Sequence, residues 1–176
     1  MQLPENAIKI EVPFERECFG CSKTNPHGLK LEYYYHEQTV YTQFQPNHNH
    51  SSWGNIVHGG ISAAICDESL GWLSMCACQS MTVTKKLTFE YHQPIKIEDK
   101  IIVVTSVESI EKNKRLFAVS NIYNQQKQLC VSAKAKMLLV SPKTAKRLNI
   151  MPDDAIDQFS KFLDIIHLTN VSFKSS

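Results

Sequence analysis

Two glycines and a downstream aspartate form the first group of residues whose types and spacing point to chemistry. Gly59 and Gly60 stand where a polar loop gives way to an apolar stretch that we expect to be helical. The first amide groups of a helix have no partner within it, and glycine has no Cβ to shield them, so an anionic oxygen can bind there. Together with the positive end of the helix dipole, this arrangement suits an oxyanion developing on a thioester or ester carbonyl.

Asp67 follows Gly60 by seven residues, about two helical turns, so its carboxylate is predicted to project on the same face as those amides. Because we expect the helix to be buried, an ionised group there is costly and marks a candidate general base or nucleophile. Glu68 points about 100° away around the helix and is the competing candidate. Plainer interpretations remain: a simple turn at the glycines, a solvated or ion-paired Asp67, and a structural hydrogen-bonding role for His58.

Cys18 and Cys21 have the spacing of half a zinc site, which His48 and His50 could complete. The second half is not at a familiar spacing, so we expect no metal and interpret the pair as partly buried thiols at the entry to the fold. No strand and helix of thioredoxin type surround the pair, which disfavours a redox role.

One long helix and six strands are predicted to position these residues. The segment 59–78 is apolar nearly all round and free of proline, which is typical of an enclosed helix of some 18 residues, about 27 Å long. Strand-forming residues between turn signals predict the strands at 29–36, 39–46, 81–92, 100–111, 115–123 and 128–140. This order predicts an α+β domain in which an antiparallel sheet wraps around one long central helix.

Three parts follow from this organisation: an irregular N-terminal arm at 1–25, the main domain at 26–141 and a C-terminal helical extension at 142–176. Asp153 or Asp154 can cap a helix in the extension. Its apolar residues recur at helical spacing and should dock, either over the acyl tunnel or on the outer face of the sheet, unless the helix is only a stabilising appendage; they are Ile156, Phe159, Leu163 and Ile166.

Composition excludes several classes of function. The formal net charge of +2 is too small for a general nucleic-acid binder, and no apolar run is long enough to span a membrane. The N-terminal stretch carries charges and prolines where a signal peptide needs an apolar core. Three of the six cysteines lie in the predicted helix, where thiols behave as small hydrophobic groups. We therefore expect a cytoplasmic protein.

The run Ile56-Val57-His58-Gly59-Gly60, followed by Asp67, resembles the active-site helix of the hotdog-fold acyl-CoA thioesterases. Two more segments agree with one branch of that superfamily, the thioesterase-superfamily-member-4-like and phenylacetate-pathway-like proteins. They are Cys18 to Leu29, similar to the entry to the first strand, and Thr84 with the downstream Tyr91 and Pro94. The resemblance covers about residues 18–140.

The resemblance implies a hotdog fold, a homodimer or a dimer of dimers with active sites at the dimer interface, and hydrolysis without a metal or cofactor. It implies that Asp67 is the general base or nucleophile and that Gly60 offers its backbone N–H to the thioester oxygen. Thr84 would hold the attacking water, His58 would orient the carbonyl or the loop, and Gly59 would permit close backbone approach. In related enzymes the aspartate and the helix terminus come from opposite subunits.

The sequence offers several candidates for the residues that contact the substrate. Some relatives have an asparagine six residues before the histidine, where this chain has Ser52, and Asn49 or Asn55 can substitute for it. Glu68 is placed with the substrate-binding residues as the neighbour of Asp67. The CoA phosphates are assigned to the basic hairpin, which consists of Lys112, Lys114 and Arg115.

These inferences predict an acyl-CoA thioesterase that binds no nucleic acid and does not span a membrane. The alternative is a non-catalytic acyl-CoA or fatty-acyl binding module, because a fold does not determine an activity. The sequence does not specify the acyl group.

Overall fold

The structure is a computed structural model, and it describes residues 2–11, 17–112, 114–149, 154 and 156–162. The main helix is α1 (Gly59–Cys78), and a short helix α2 (Pro142–Arg147) follows the sheet. The strands are β1 (Ile8–Ile10), β2 (Glu32–His36), β3 (Thr39–Phe44), β4 (Met81–Tyr91), β5 (Ile101–Glu111), β6 (Arg115–Tyr123) and β7 (Leu129–Val140). Six of these strands and the long helix agree with the predicted segments to within a few residues.

The strands form one antiparallel sheet in the order β1-β2-β3-β5-β6-β7-β4. The chain makes hairpins from β2 to β3 and from β5 through β6 to β7, whereas β4 reaches its place at the end of the sheet directly after α1. The helix packs against β2 to β7, so the sheet wraps around it. The predicted α+β architecture is confirmed.

The central helix is enclosed because apolar and small residues surround it. Ile65, Leu70 and Leu73 are fully buried, and the indole of Trp72 stacks on Tyr33 of β2 with ring centroids 5.4 Å apart. The helix ends at Gln79, whose φ of 50° places it in the left-handed conformation that commonly terminates helices. The chain can then turn directly into β4.

Strand β1 lies within the arm that the sequence analysis interpreted as irregular. Ile8 and Ile10 pair with Tyr35 and Tyr33 of β2, and Ile10 is buried. Three residues bounded by Pro4 and a charged segment are too short to produce a recognisable alternating pattern, so pairing with β2 determines this strand rather than local sequence.

The C-terminal extension docks on the main domain. Its described part is helical at 154 and 156–162, and Ile156, Phe159 and Phe162 are buried. Phe162 packs edge-on against Trp72, with centroids 5.7 Å apart. Asp153, Leu163 and Ile166, which were also assigned to this helix, lie outside the described residues.

Candidate active site

The start of α1 is capped by the side chain of His58. Its Nδ1 accepts a hydrogen bond of 2.9 Å from the backbone N–H of Gly60, and its carbonyl accepts from the N–H of Ile61 at the same distance. The Gly60 amide, predicted to face the thioester, is therefore occupied in this conformation. The N–H of Gly59 has no hydrogen-bond partner within the described part of the chain.

Asp67 and Thr84 are brought together by the return of the chain from α1 into β4. The Thr84 hydroxyl donates a hydrogen bond of 2.8 Å to Oδ1 of Asp67. The register with β7 shifts between Thr84 and Lys86, so an extra residue bulges out beside this contact. Bulges often re-aim side chains next to active sites.

The carboxylate of Asp67 is exposed in the single chain, which differs from the predicted burial. The helix is enclosed over most of its circumference, but Asp67 lies on its exposed side, next to the edge strand β4. The sequence could not distinguish this exposed side because the helix is apolar nearly all round.

Gly60 and Asp67 are well separated within one chain. Seven residues of helix at 1.5 Å per residue place them about 10 Å apart along the axis. A water molecule held by this carboxylate cannot attack a carbonyl bound at the amide of the same chain, because reacting atoms must come within about 3–3.5 Å. The predicted common face is therefore not sufficient for one active site.

A cleft of about 380 Å³ opens beside the start of the helix. Its lining includes Ser52, Gly59, Ser62 and Tyr91. The Tyr91 hydroxyl donates a hydrogen bond of 3.0 Å to the carbonyl of Gly59, and 56% of the tyrosine is exposed. Tyr91 and Ser62 were not among the predicted site residues. Only the family resemblance singled out Tyr91, as the aromatic residue near the end of its strand.

Asn55 lies on the loop that leads into α1. Its carbonyl accepts a hydrogen bond of 3.1 Å from the N–H of Ile97, which anchors the loop next to the cleft. Ser52, in the position of the relatives' asparagine, donates through both its N–H and its hydroxyl to the carbonyl of Ile56. The loop is thus held by backbone contacts, and the Asn55 side chain is exposed.

Glu68 faces away from Asp67 and towards the cysteine pair. The Sγ of Cys18 lies 3.3 Å from Oε1 of Glu68. Burial, followed by the charge of Cys18, raises the pKa of Glu68 to about 7. Hydrogen bonds from Cys21 are the main cause that lowers the pKa of Cys18 to about 5, while the pKa of Cys21 is raised.

The basic hairpin joins β5 to β6, and its described residues are exposed. Arg115 forms an ion pair of 3.5 Å with Glu111 across the hairpin. The sheet register places Arg115 beside Leu138 and, on the next strand, Val83, one position from Thr84. Adjacent strands lie about 4.8 Å apart, so the hairpin backbone is about 10 Å from this part of β4.

The comparison with known families agrees with this geometry. The family model described as "Thioesterase superfamily" matches residues 54–131, which contain α1, β4 and all five predicted catalytic residues. The resemblance to the hotdog-fold thioesterase superfamily, predicted from the sequence, is confirmed. No curated protein sequence matches the chain significantly.

Solved structures share the hotdog fold. One thioesterase superfamily protein has a TM-score of 0.61 at 19% identity over 65% of this chain, which spans 56% of that protein's length. The Escherichia coli PaaI protein of the phenylacetic acid degradation operon has a TM-score of 0.59 at 15% identity, over 64% of this chain and 80% of its own.

A hypothetical thioesterase protein from Streptococcus pneumoniae, solved with coenzyme A, has a TM-score of 0.56 at 16% identity, over 59% of this chain and 82% of its own. The same protein was also solved with an aspartate or a threonine replaced by alanine.

Within the described part of the chain, no helix is long and apolar enough to cross a membrane.

Proposed function

We propose that this protein is an acyl-CoA thioesterase that hydrolyses the thioester to a free acid and CoA. The observation that carries the proposal is the hydrogen bond from Thr84 to Asp67, which pairs a solvent-accessible carboxylate with a hydroxyl at the positions expected for the reacting groups. The family match supports thioester chemistry, and the CoA-bound neighbour supports CoA as the leaving group.

Asp67 acts as general base or as nucleophile. As a base it accepts a proton from water while the oxygen of that water attacks the thioester carbonyl; collapse of the adduct breaks the C–S bond and the CoA thiolate leaves, taking up a proton. As a nucleophile its carboxylate oxygen attacks the thioester carbonyl, the C–S bond breaks and the CoA thiolate leaves, taking up a proton; water then hydrolyses the resulting mixed anhydride to the free acid and the Asp67 carboxylate. In either route the Thr84 hydroxyl holds the carboxylate oxygen or the attacking water in line.

The carbonyl oxygen binds at the start of α1. There the Gly59 N–H is available, and the oxygen displaces Nδ1 of His58 from the N–H of Gly60. The negative charge that develops on this oxygen is stabilised by these amides and by the positive end of the helix dipole. His58 thereby keeps the amide satisfied until substrate arrives and orients the loop, and Gly59 lets the acyl group approach the backbone.

Two chains complete the site, because Gly60 and Asp67 of one chain are about 10 Å apart along the helix. Strand β4 lies at the end of the sheet with one side unpaired in the single chain, although it has 11 residues and exposes Val83 and Tyr91. Long unpaired edges favour pairing with another strand. A homodimer, or a dimer of dimers, that covers β4 would bring the partner's helix start towards Asp67 and Thr84.

Substrate contacts are assigned to Asn55 beside the cleft and to Lys112, Lys114 and Arg115 at the hairpin, whose positive charges suit the phosphates of CoA. Glu68 is not assigned to substrate, since its carboxylate faces Cys18. All six cysteines are free thiols, which supports a reducing compartment such as the cytoplasm.

The decisive experiment measures release of free CoA by chromatography, which avoids interference from the protein's own thiols, over short, medium, long and aromatic acyl-CoAs. Asp67→Asn should lower kcat/KM by about 10²- to 10⁴-fold. Asp157→Asn, at an exposed position in the C-terminal extension, is the matched control and should leave the rate unchanged. An inactive wild-type protein across the panel would exclude hydrolysis, and an unaffected Asp67 variant would exclude Asp67 as the base or nucleophile.

The exposure of Asp67 favours one alternative, a module that binds acyl-CoA without hydrolysing it, because the carboxylate is not enclosed in the single chain. Calorimetric binding of acyl-CoA by both the wild-type protein and Asp67→Asn, with no CoA release by either, would establish this alternative.

A further inference from the structure

A cluster of three ligand-type side chains lies outside the proposed active site. The Sγ atoms of Cys18 and Cys21 and a carboxylate oxygen of Glu68 all lie within 4.8 Å of one another, and within the described residues this is the one such group. Around a tetrahedral zinc ion, with Zn–S of about 2.3 Å and Zn–O of about 2.0–2.2 Å, ligand atoms are about 3.5–3.8 Å apart. The 3.3 Å between Cys18 and Glu68 is already close to that separation.

The turn that carries the cysteines is built to hold a thiolate. The N–H of Gly20 donates to Sγ of Cys18 over 3.3 Å, and the N–H of Ser22 donates to the Cys18 carbonyl. Backbone bonds from Leu29 to Phe19 and from Leu31 to Gly20 fasten the turn to the chain that enters β2. Such outer contacts orient metal ligands and stabilise their charged form.

Glu68 is fixed against this turn by close packing. A Cβ at Gly20 would lie 2.4 Å from Cγ of Glu68, so only glycine permits the turn to approach the carboxylate this closely. No described Lys or Arg forms an ion pair with Glu68. A largely buried carboxylate next to two thiols is costly unless a cation neutralises it.

Two buried donors border the cluster. Tyr33 Oη and Trp72 Nε1 have no hydrogen-bond partner within the described residues. Burial, and then the negative charge of Glu68, raises the pKa of Tyr33. Donors in such positions can bond to an anionic ligand set or to a water molecule bound with it.

We propose that Cys18, Cys21 and Glu68 bind one Zn²⁺ ion, with a water molecule as the fourth ligand. Two thiolates favour zinc over magnesium or calcium, which prefer oxygen ligands. Binding releases the thiol protons and leaves the oxidation state of sulfur unchanged. The ion ties the N-terminal turn to α1 at the residue next to Asp67.

The histidines that the sequence suggested as completing ligands are not in this cluster. His50 instead accepts a hydrogen bond from the N–H of Asn47 through Nδ1, and its ring packs on Phe44. Glu68 takes their place. It lies on the central helix, 47 residues further along the chain than Cys21, and packs against the turn at Gly20.

The test uses the full chain, purified with a reductant, stripped with a chelator and titrated with Zn²⁺ against a chromophoric chelator. One ion per chain should bind. Cys18→Ser and Cys21→Ser should each weaken binding by at least about 100-fold and Glu68→Gln by at least about tenfold, since even outer-shell partners account for about 10- to 100-fold. Cys78→Ser, a half-buried cysteine elsewhere on α1, is the control and should bind as the wild type does.

Cobalt substitution of the wild-type protein gives a readout that does not depend on the folding of any variant. Co²⁺ should produce sulfur-to-metal charge-transfer absorption and the intense visible bands of tetrahedral coordination. Absence of stoichiometric binding by the reduced protein, or a Co²⁺ spectrum without sulfur ligation, would overturn the proposal. Loss of binding in a His48→Ala/His50→Ala variant would refute the assignment of Glu68. CoA release is not part of the readout, so failure here leaves the proposed hydrolysis to its own test.

Discussion

The hydroxyl of Thr84 donates a hydrogen bond to Oδ1 of Asp67 over 2.8 Å, although 17 positions separate the two residues. The contact exists because α1 ends in a left-handed residue and the chain runs straight into β4 alongside the helix. A β-bulge immediately after Thr84 adds one residue to the strand at this point. The bond thus depends on two local irregularities of the backbone.

Thr84→Val should lower kcat by roughly 10- to 150-fold, because a hydrogen bond to a charged group is worth about 1.5–3 kcal/mol. Thr84→Ser keeps the hydroxyl and should retain most of the activity. Thr88→Val, at an exposed threonine on the same strand, should behave like the wild type. Steady-state kinetics with the best acyl-CoA would check this, and equal rates for the Val and Ser variants would show that the hydroxyl does not act in catalysis.

His58→Ala should lower the free energy of unfolding by about 0.5–2 kcal/mol, the usual effect of losing a helix N-cap. The physical reason is that the Gly60 N–H loses the Nδ1 acceptor. His58→Asn offers a side-chain oxygen that can accept the same bond and should restore stability. Urea denaturation measures the difference, with the exposed His27→Ala as control. An alanine variant as stable as the wild type would mean that the cap does not form in solution.

The sequence was sufficient to predict the long helix and six of the seven strands. Strand periods bounded by turn residues predicted β2 to β7, and the proline-free apolar stretch predicted α1 with its observed limits. Strand β1 was missed, because its three residues are stabilised by pairing with β2 rather than by their own pattern.

For the candidate site, contacts between residues that are distant in the sequence were harder to predict. Spacing on one helix placed Asp67 about two turns from Gly60, but nothing in the spacing indicated that Asp67 is exposed along β4. The pairing of Cys18 with Glu68 connects residues 50 positions apart, and the cap formed by His58 depends on a side-chain rotamer. Neither follows from composition or periodicity.

Phe162→Ala should reduce the free energy of unfolding by about 3–5 kcal/mol, as is usual for a buried phenylalanine. Phe162 is almost fully buried and packs edge-on against Trp72, so the substitution leaves a cavity over the central helix. The adjacent, exposed Lys161→Ala should change stability little. Equal denaturation midpoints for both variants would indicate that the C-terminal extension does not stabilise the domain.

Mixing two inactive variants tests whether each site is shared between chains. Gly60→Pro removes the backbone N–H at a position in the first turn where proline is tolerated, and should lower kcat by about 10²- to 10³-fold. Asp67→Asn removes the base.

If Gly60 of one chain serves Asp67 of its partner, a mixed dimer of these two variants contains one intact site and one with both defects. Random association makes half of the dimers mixed, so co-refolding equal amounts should recover about a quarter of the wild-type activity. If each chain formed its own site, every site in the mixture would carry one defect and no activity would return. Measuring CoA release from the mixture against each variant alone separates these outcomes, because only a shared site places the helix start of one chain within reach of a water molecule held by the other.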